Sequence, residues 1–143
     1  MTESKYGKYV VSTPSVYKLA HGVESTKVTG RTPSHIYLDK DILPESDKHV
    51  AMMRFTEVPH PNPFIEAHAH PYDEILLFIG SNPSDLTDLG AEIDVTLGDE
   101  EETHTITTTT ALYLPKGLRH VLKHRSVKRP HTLVAISMSG EYR

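Results

Sequence analysis

From Ala91 to Leu97 apolar and polar residues alternate: Ile93, Val95 and Leu97 fall on one side of an extended chain, Glu92, Asp94 and Thr96 on the other. A period of two predicts a strand with one buried face. The turn Gly98-Asp99-Glu100-Glu101-Glu102 then reverses the chain, and His104 to Thr109 is the expected antiparallel partner. Glu74 to Ile79 is a continuous apolar run after its first residue, which fits a strand buried on both faces or a short barrel strand. Shorter strands are predicted at His35 to Leu38, His49 to Phe55, Pro63 to Ala69, Ala111 to Leu114 and His131 to Met138. In the last of these, Leu133, Ala135 and Ser137 share one face, and Val134, Ile136 and Met138 share the other. Thr107 to Thr110, four β-branched residues, also favours extended backbone. Helical periodicity is weak, and Val16 to Ala20 and Asp85 to Leu89 are each expected to form one turn at most.

Turn residues separate these runs at Pro59 to Pro63, Gly80 to Pro83, Gly90, Gly98 and Pro115-Lys116-Gly117. Many short strands punctuated in this way predict an all-β sandwich or barrel. The 143 residues suit one domain. Residues 35–143 are expected to form the barrel, with Ser81 to Gly90 as an inserted loop. Residues 1–34 form an N-terminal extension. Its Tyr6, Tyr9, Val10, Val11, Val16, Tyr17 and Leu19 are too apolar for a free tail, so it is expected to pack on the barrel or on a second subunit.

Charge and composition narrow the partners. There are 15 Lys and Arg against 19 Asp and Glu, and no basic stripe, so no nucleic-acid partner is expected. No run approaches the roughly 18 apolar residues of a membrane span. The first twelve residues lack the apolar core of a secretory signal, and the reading is a cytoplasmic protein without a membrane partner. With no cysteine, disulfides, thiolate ligands and thiol nucleophiles are excluded. Any bound metal must be held by imidazole and carboxylate, and ten histidines make that feasible.

The chemistry concentrates in His68-Ala69-His70-Pro71-Tyr72-Asp73-Glu74. On a strand, residues two apart face the same way, so the imidazoles of His68 and His70 can reach one point. Pro71-Tyr72 turns the chain, and Glu74 can return a carboxylate to that point. Such a set suits Zn(II), Fe(II), Mn(II), Co(II) or Ni(II). Further on, Pro115-Lys116-Gly117-Leu118-Arg119-His120 ends one strand and opens the next on a histidine.

These two segments resemble the cupin superfamily, whose first motif is G-x5-H-x-H-x3,4-E-x6-G and whose second is G-x5-P-x-G-x2-H-x3-N. Here the first reads Asn62, His68, His70, Glu74, Gly80 and the second Pro115, Gly117, His120. Asn62 replaces the opening glycine and tolerates the same left-handed backbone. The interval from Glu74 to Gly80 is one residue short, Thr109 stands for the first glycine of the second motif, and His124 stands for the closing asparagine. The resemblance covers about residues 45 to 138. It implies a jelly-roll barrel (a double-stranded β-helix) holding one divalent transition metal with His68, His70, Glu74 and His120. Fe(II) or Mn(II) come first, with Zn(II), Ni(II) and Co(II) compatible.

Further candidates flank this set. Tyr72 and Tyr113 can orient a substrate or act as acids, or serve packing alone; His124 can line the cavity as an acid/base or sit at a barrel edge. Asp73 is expected to face away from Glu74. Arg54, Lys116 and Arg119 can hold a carboxylate substrate or stay exposed, and Ile75 to Ile79 with Met52 and Met53 can supply an apolar pocket. A fold does not dictate a reaction. The first reading is a metal-dependent enzyme acting on a small organic molecule, dioxygenase-like before isomerase, decarboxylase or lyase. The alternatives are a non-catalytic metal- or ligand-binding module and an accessory subunit. A homodimer is expected, since small cupins often pair their barrels and the extension needs a cover.

Overall fold

The computed structural model describes residues 4–16 and 28–142. Its strands are β1 (Ser15–Val16), β2 (Thr29–Arg31), β3 (His35–Leu38), β4 (His49–His60), β5 (Glu74–Gly80), β6 (Asp88–Leu97), β7 (Glu102–Thr108), β8 (Thr110–Leu114), β9 (His120–Val127) and β10 (His131–Ser137). A single 3₁₀ turn, Gly7–Tyr9, is the only helical element among the described residues. None of them forms a helix long and apolar enough to cross a membrane.

One sheet runs β1-β3-β4-β10-β5-β8, with β2 added to β4, and a second runs β7-β6-β9. All pairings are antiparallel. The sheets face one another, with β4 packing on β9 and β5 on β6. Alternation decides which side chains point between them. The inward residues of β4, β10 and β5 stand side by side in four rungs: His49–Ser137–Glu74, Ala51–Ala135–Leu76, Met53–Leu133–Phe78 and Phe55–His131–Gly80. The first rung is polar and the middle two are apolar. The core proper gathers Phe55, Phe64, Phe78, Leu89, Ile93 and Leu114, each at most 4 % exposed.

The hairpin expected from Ala91 onward is present, with Ile93 opposite Ile106 and Val95 opposite His104. One expectation needs correction. Pro63 to Ala69 forms no strand; only His68 makes a bridge, donating to the His120 carbonyl at 3.1 Å and accepting from the His120 amide at 2.9 Å. Pro61, Pro63 and Pro71 have no N–H to give a ladder, so the segment crosses the barrel end as irregular chain. Asn62, for its part, does not take up the left-handed backbone it tolerates, since Glu101 is the only non-glycine with positive φ among the described residues. Asn62 acts through its side chain, which donates to the His124 carbonyl and accepts from the His124 amide at 2.8 and 3.1 Å.

Strand β4 runs beyond Phe55 to His60, because β2 supplies a partner there, pairing Thr29 with His60 and Arg31 with Phe55. Thus Ser15–Val16 and Thr29–Arg31, both within residues 1–34, hydrogen-bond to the larger sheet. Of the turn expected at Val16 to Ala20, Val16 lies in β1 and the rest lies outside the described residues. At Asp85 the chain makes a single turn, closed by the Asp88 amide on the Asp85 carbonyl, before β6 begins.

Candidate metal centre

Three imidazoles converge at the polar end of the barrel. His68, His70 and His120 each offer a ring nitrogen, and these nitrogens lie within 4.8 Å of one another. The crossing segment brings in His68 and His70; β9 opens on His120. The His68–His120 bridge and the Gly117 amide, which donates to the His70 carbonyl at 2.8 Å, bind the two segments together. Gly117 turns there at φ 82°, a conformation open to a residue without Cβ.

Backbone carbonyls orient two of the rings. His68 Nδ1 lies 2.7 Å from the Glu66 carbonyl and His120 Nδ1 3.0 Å from the Leu118 carbonyl. A carbonyl only accepts, so these Nδ1 atoms carry the protons and leave each Nε2 lone pair for a ligand. Tyr72, 8 % exposed, stacks on His70 with centroids 4.9 Å apart and planes 10° apart. Burial pushes the His120 imidazole down to about 4 and lowers His68 as well, so both rings are neutral near pH 7, the form that binds a metal.

Glu74, the first residue of β5, turns its carboxylate to the same point. Its Oε1 lies 3.7 Å from both His70 Nε2 and His120 Nε2. Its Oε2 accepts a 3.0 Å hydrogen bond from Ser137 Oγ, the neighbouring inward residue on β10. Burial pushes the Glu74 carboxyl above its usual range, while Ser137 and His68 pull it back. Three imidazole nitrogens beside a buried carboxylate form a donor set suited to a divalent transition metal. Phe64, Leu76, Leu122 and Leu133 wall the chamber, which holds about 60 Å³.

The remaining candidates lie apart from this cluster or beside it. Tyr72 is the ring behind His70. Tyr113 is 61 % exposed on the outer face of β8, where its hydroxyl donates to Asp73 Oδ2 at 2.6 Å. Asp73 also accepts from the Lys116 amide at 2.8 Å, so it faces away from Glu74 and fastens the turn into the second motif. His124 is buried two alternation steps beyond His120, past Leu122, with its ring against Phe55 and its Nε2 3.3 Å from His131 Nε2. Arg54, Lys116 and Arg119 are exposed. Of the proposed apolar lining, Met53 and Leu76 reach the chamber.

Two residues had no assigned role in the sequence reading. Ser137 was visible only as a member of the inward face of β10. Tyr142 carries no sequence signal, yet it lines the chamber, with its ring 5.1 Å from that of His70.

This strand order, with a histidine cluster at one end of the interior, is that of a cupin jelly-roll barrel, and the chain has that fold. No family model matches the chain, and no curated protein matches it in sequence. Solved structures do. An RmlC-like cupin from Shewanella frigidimarina aligns over 90 % of this chain and 85 % of its own, at 10 % identity and TM-score 0.50. The polyketide cyclase RemF from Streptomyces resistomycificus aligns over 99 % and 80 %, at 10 % identity and TM-score 0.55. The Fe(II) form of HppE aligns over 85 % of this chain, which spans only 54 % of that protein, at 11 % identity and TM-score 0.53. At such identities the likeness is one of fold.

Proposed function

We propose that this protein is a metal-dependent enzyme acting on a small organic molecule, with one divalent ion held by His68, His70, Glu74 and His120. The observation that carries this reading is the convergence of three ring nitrogens and the Glu74 carboxylate at one point inside the barrel. Fe(II) or Mn(II) is the first choice; the iron form of HppE, a protein of the same fold, supports iron. The bound ion would supply Lewis-acid polarisation of a substrate oxygen or redox chemistry with dioxygen, and dioxygenase-like cleavage is the reaction class to test first.

The chain's own residues prepare that chemistry. The Glu66 and Leu118 carbonyls set the ring tautomers, and Ser137 fixes the carboxylate of Glu74. The apolar walls keep water from the site and strengthen electrostatic effects within it. Burial, then the charge of Glu74, raises the Tyr142 phenol above its ordinary value, so it keeps its proton and can donate a hydrogen bond. Pairing of two chains is part of the proposal; the exposed side chains of Tyr6, Tyr9 and Val10 support it, and light scattering giving a monomer mass would refute it.

Metal content of tag-free protein, measured by mass spectrometry, tests the site. About one equivalent is expected in the parent, and much less in Glu74→Gln and His70→Ala. Azide should perturb the visible spectrum of the Co(II) form, since catalysis needs an open coordination position. Metal binding without an azide response would point to a non-catalytic binding module. No metal after Fe(II), Mn(II), Zn(II) and Ni(II) are offered in turn would end the enzyme reading.

A further inference from the structure

The two sheets differ on their outer faces. On the smaller one the outward rungs are largely polar: Thr103–Thr96–Val121 and Thr105–Asp94–Lys123. Asp94 also pairs there with Arg125, at 3.2 Å. On the larger one an outward rung reads Val50–Ile136–Ile75–Tyr113, from β4 across β10 and β5 to β8. The next carries Met52, Val134, Leu77 and Ala111, with His35 of β3 at its end. A third, Arg54–Thr132–Ile79, brings an arginine to one corner. All of these side chains on the larger sheet are partly or fully exposed.

The sequence of the strands agrees with this difference. An antiparallel strand with one solvated face alternates apolar and polar residues, as β6 does. In β5 the residues from Ile75 to Ile79 are apolar on both sides, and so are those of β10 from Leu133 to Ile136, the pattern of strands covered on both faces. The smaller sheet covers the inner face. Among the described residues no third sheet and no α-helix covers the outer one. With a cell of about 4.8 by 6.8 Å for each outward residue, the three rungs have a flat footprint on the order of 400 Å². That is about half of the roughly 800 Å² that each partner gives to a stable interface, as suits an apolar core inside a polar rim.

We propose that a second copy of this chain docks on the outer face of the larger sheet with the same face of its own, about a two-fold axis. This rests on the pairing of two chains proposed above and names its surface. Charge selects the partner face. A copy offering its smaller sheet would bury Asp94, Lys123 and Arg125 against Ile75 and Val134, with a large desolvation cost. A copy offering its larger sheet brings apolar rungs and no like charge to the centre. Such a contact, the same patch on both chains, also closes at two.

Sedimentation velocity at micromolar concentration should give the parent twice the mass of one chain. Leu77→Glu and Val134→Glu, made separately, should each raise the dimer dissociation constant about a hundredfold or more, because the symmetry buries the new carboxylate twice. Thr103→Glu, on the outer face of the smaller sheet, should leave it unchanged. If circular dichroism shows that neither of the first two variants folds, the parent still answers. After exchange of isotope-labelled with unlabelled chains, intermolecular NOEs should arise at the methyl groups of Val50, Leu77 and Val134. A dimer that the folded variants leave intact, or intermolecular NOEs confined to other residues such as Tyr6, Tyr9 and Val10, would overturn this face and leave the pairing standing. A monomeric parent would end the pairing and this face with it.

Discussion

Glu74 is the residue on which the site turns, because it is buried, ionisable and shared. Its carboxylate has one hydroxyl donor, Ser137, and faces two imidazoles. Groups that hold a metal ligand in place typically contribute about ten- to hundredfold in metal affinity. Ser137→Ala should therefore weaken metal binding by that order, read by competition with a chelator, while leaving the far-ultraviolet spectrum unchanged. Tyr113 serves as the contrast. Its hydroxyl bonds to Asp73 on the outer face, so Tyr113→Phe should leave metal content unaltered and shift stability by about 0.5 kcal/mol or less. A marked metal loss in Tyr113→Phe would show that the Asp73 turn governs the histidines more tightly than the geometry indicates.

At the scale of strands, the site is positioned by register. Ser137 lies opposite both His49 and Glu74, and His120 lies opposite Leu97. A one-residue slip would turn each inward side chain to the other face. The end of β5 shows how closely the elements are fitted. A Cβ on Gly80 would overlap the Asp88 carbonyl oxygen at the start of β6. That atom belongs to backbone and cannot swing aside, so Gly80→Ala should cost about 1–3 kcal/mol, as overpacking usually does. A fall in the urea midpoint with an unchanged slope is the expected reading.

For the whole molecule, the end opposite the metal cluster adds to the acid sensitivity that the buried His120 and His68 already bring. His124 and His131 sit among Phe55, Phe64 and Phe78, with their Nε2 atoms 3.3 Å apart. Neither Nδ1 has a hydrogen-bond partner among the described residues. Burial pushes His124 down to about 3, with the neighbouring ring adding to it, and His131 down to about 4. Both are neutral in the fold, while in the unfolded chain they protonate below about 6.5. The unfolded state thus takes up protons that the native state refuses. Their contribution is fully present above pH 6.5 and is lost as pH falls toward 4 and 3. The slope is up to about 1.4 kcal/mol per pH unit for each histidine. Replacing both by leucine should flatten the pH dependence of the denaturant midpoint between pH 6.5 and 4. An unchanged slope would place the acid sensitivity in other groups.

Local pattern determined the elements of this protein. The alternation from Ala91 to Leu97, the apolar run after Glu74 and the glycine and proline turns are properties of short segments, and β5 to β8 and β10 follow them closely, while of β9 only the start at His120 was legible. The candidate ligands were legible for the same reason: His68, His70 and Glu74 are neighbours in sequence, and His120 follows a recognisable Pro-x-Gly turn. Tertiary structure decided what depends on distant partners. Pro63 to Ala69 reads as a strand by composition, but Pro63 and the flanking Pro61 and Pro71 lack the N–H a ladder needs, and His68 reaches the site through one bridge to His120. Asn62 reads as a backbone substitute for glycine and instead clamps His124 with its amide. Tyr142 has no motif around it; it enters the site because Gly140, lacking a Cβ, allows the C-terminal segment after β10 to lie against the Ser46 carbonyl. A cavity of about 300 Å³ bordered by Ala51 and Ala135 depends on residues far apart in the chain, whose small size matters only once register sets them side by side.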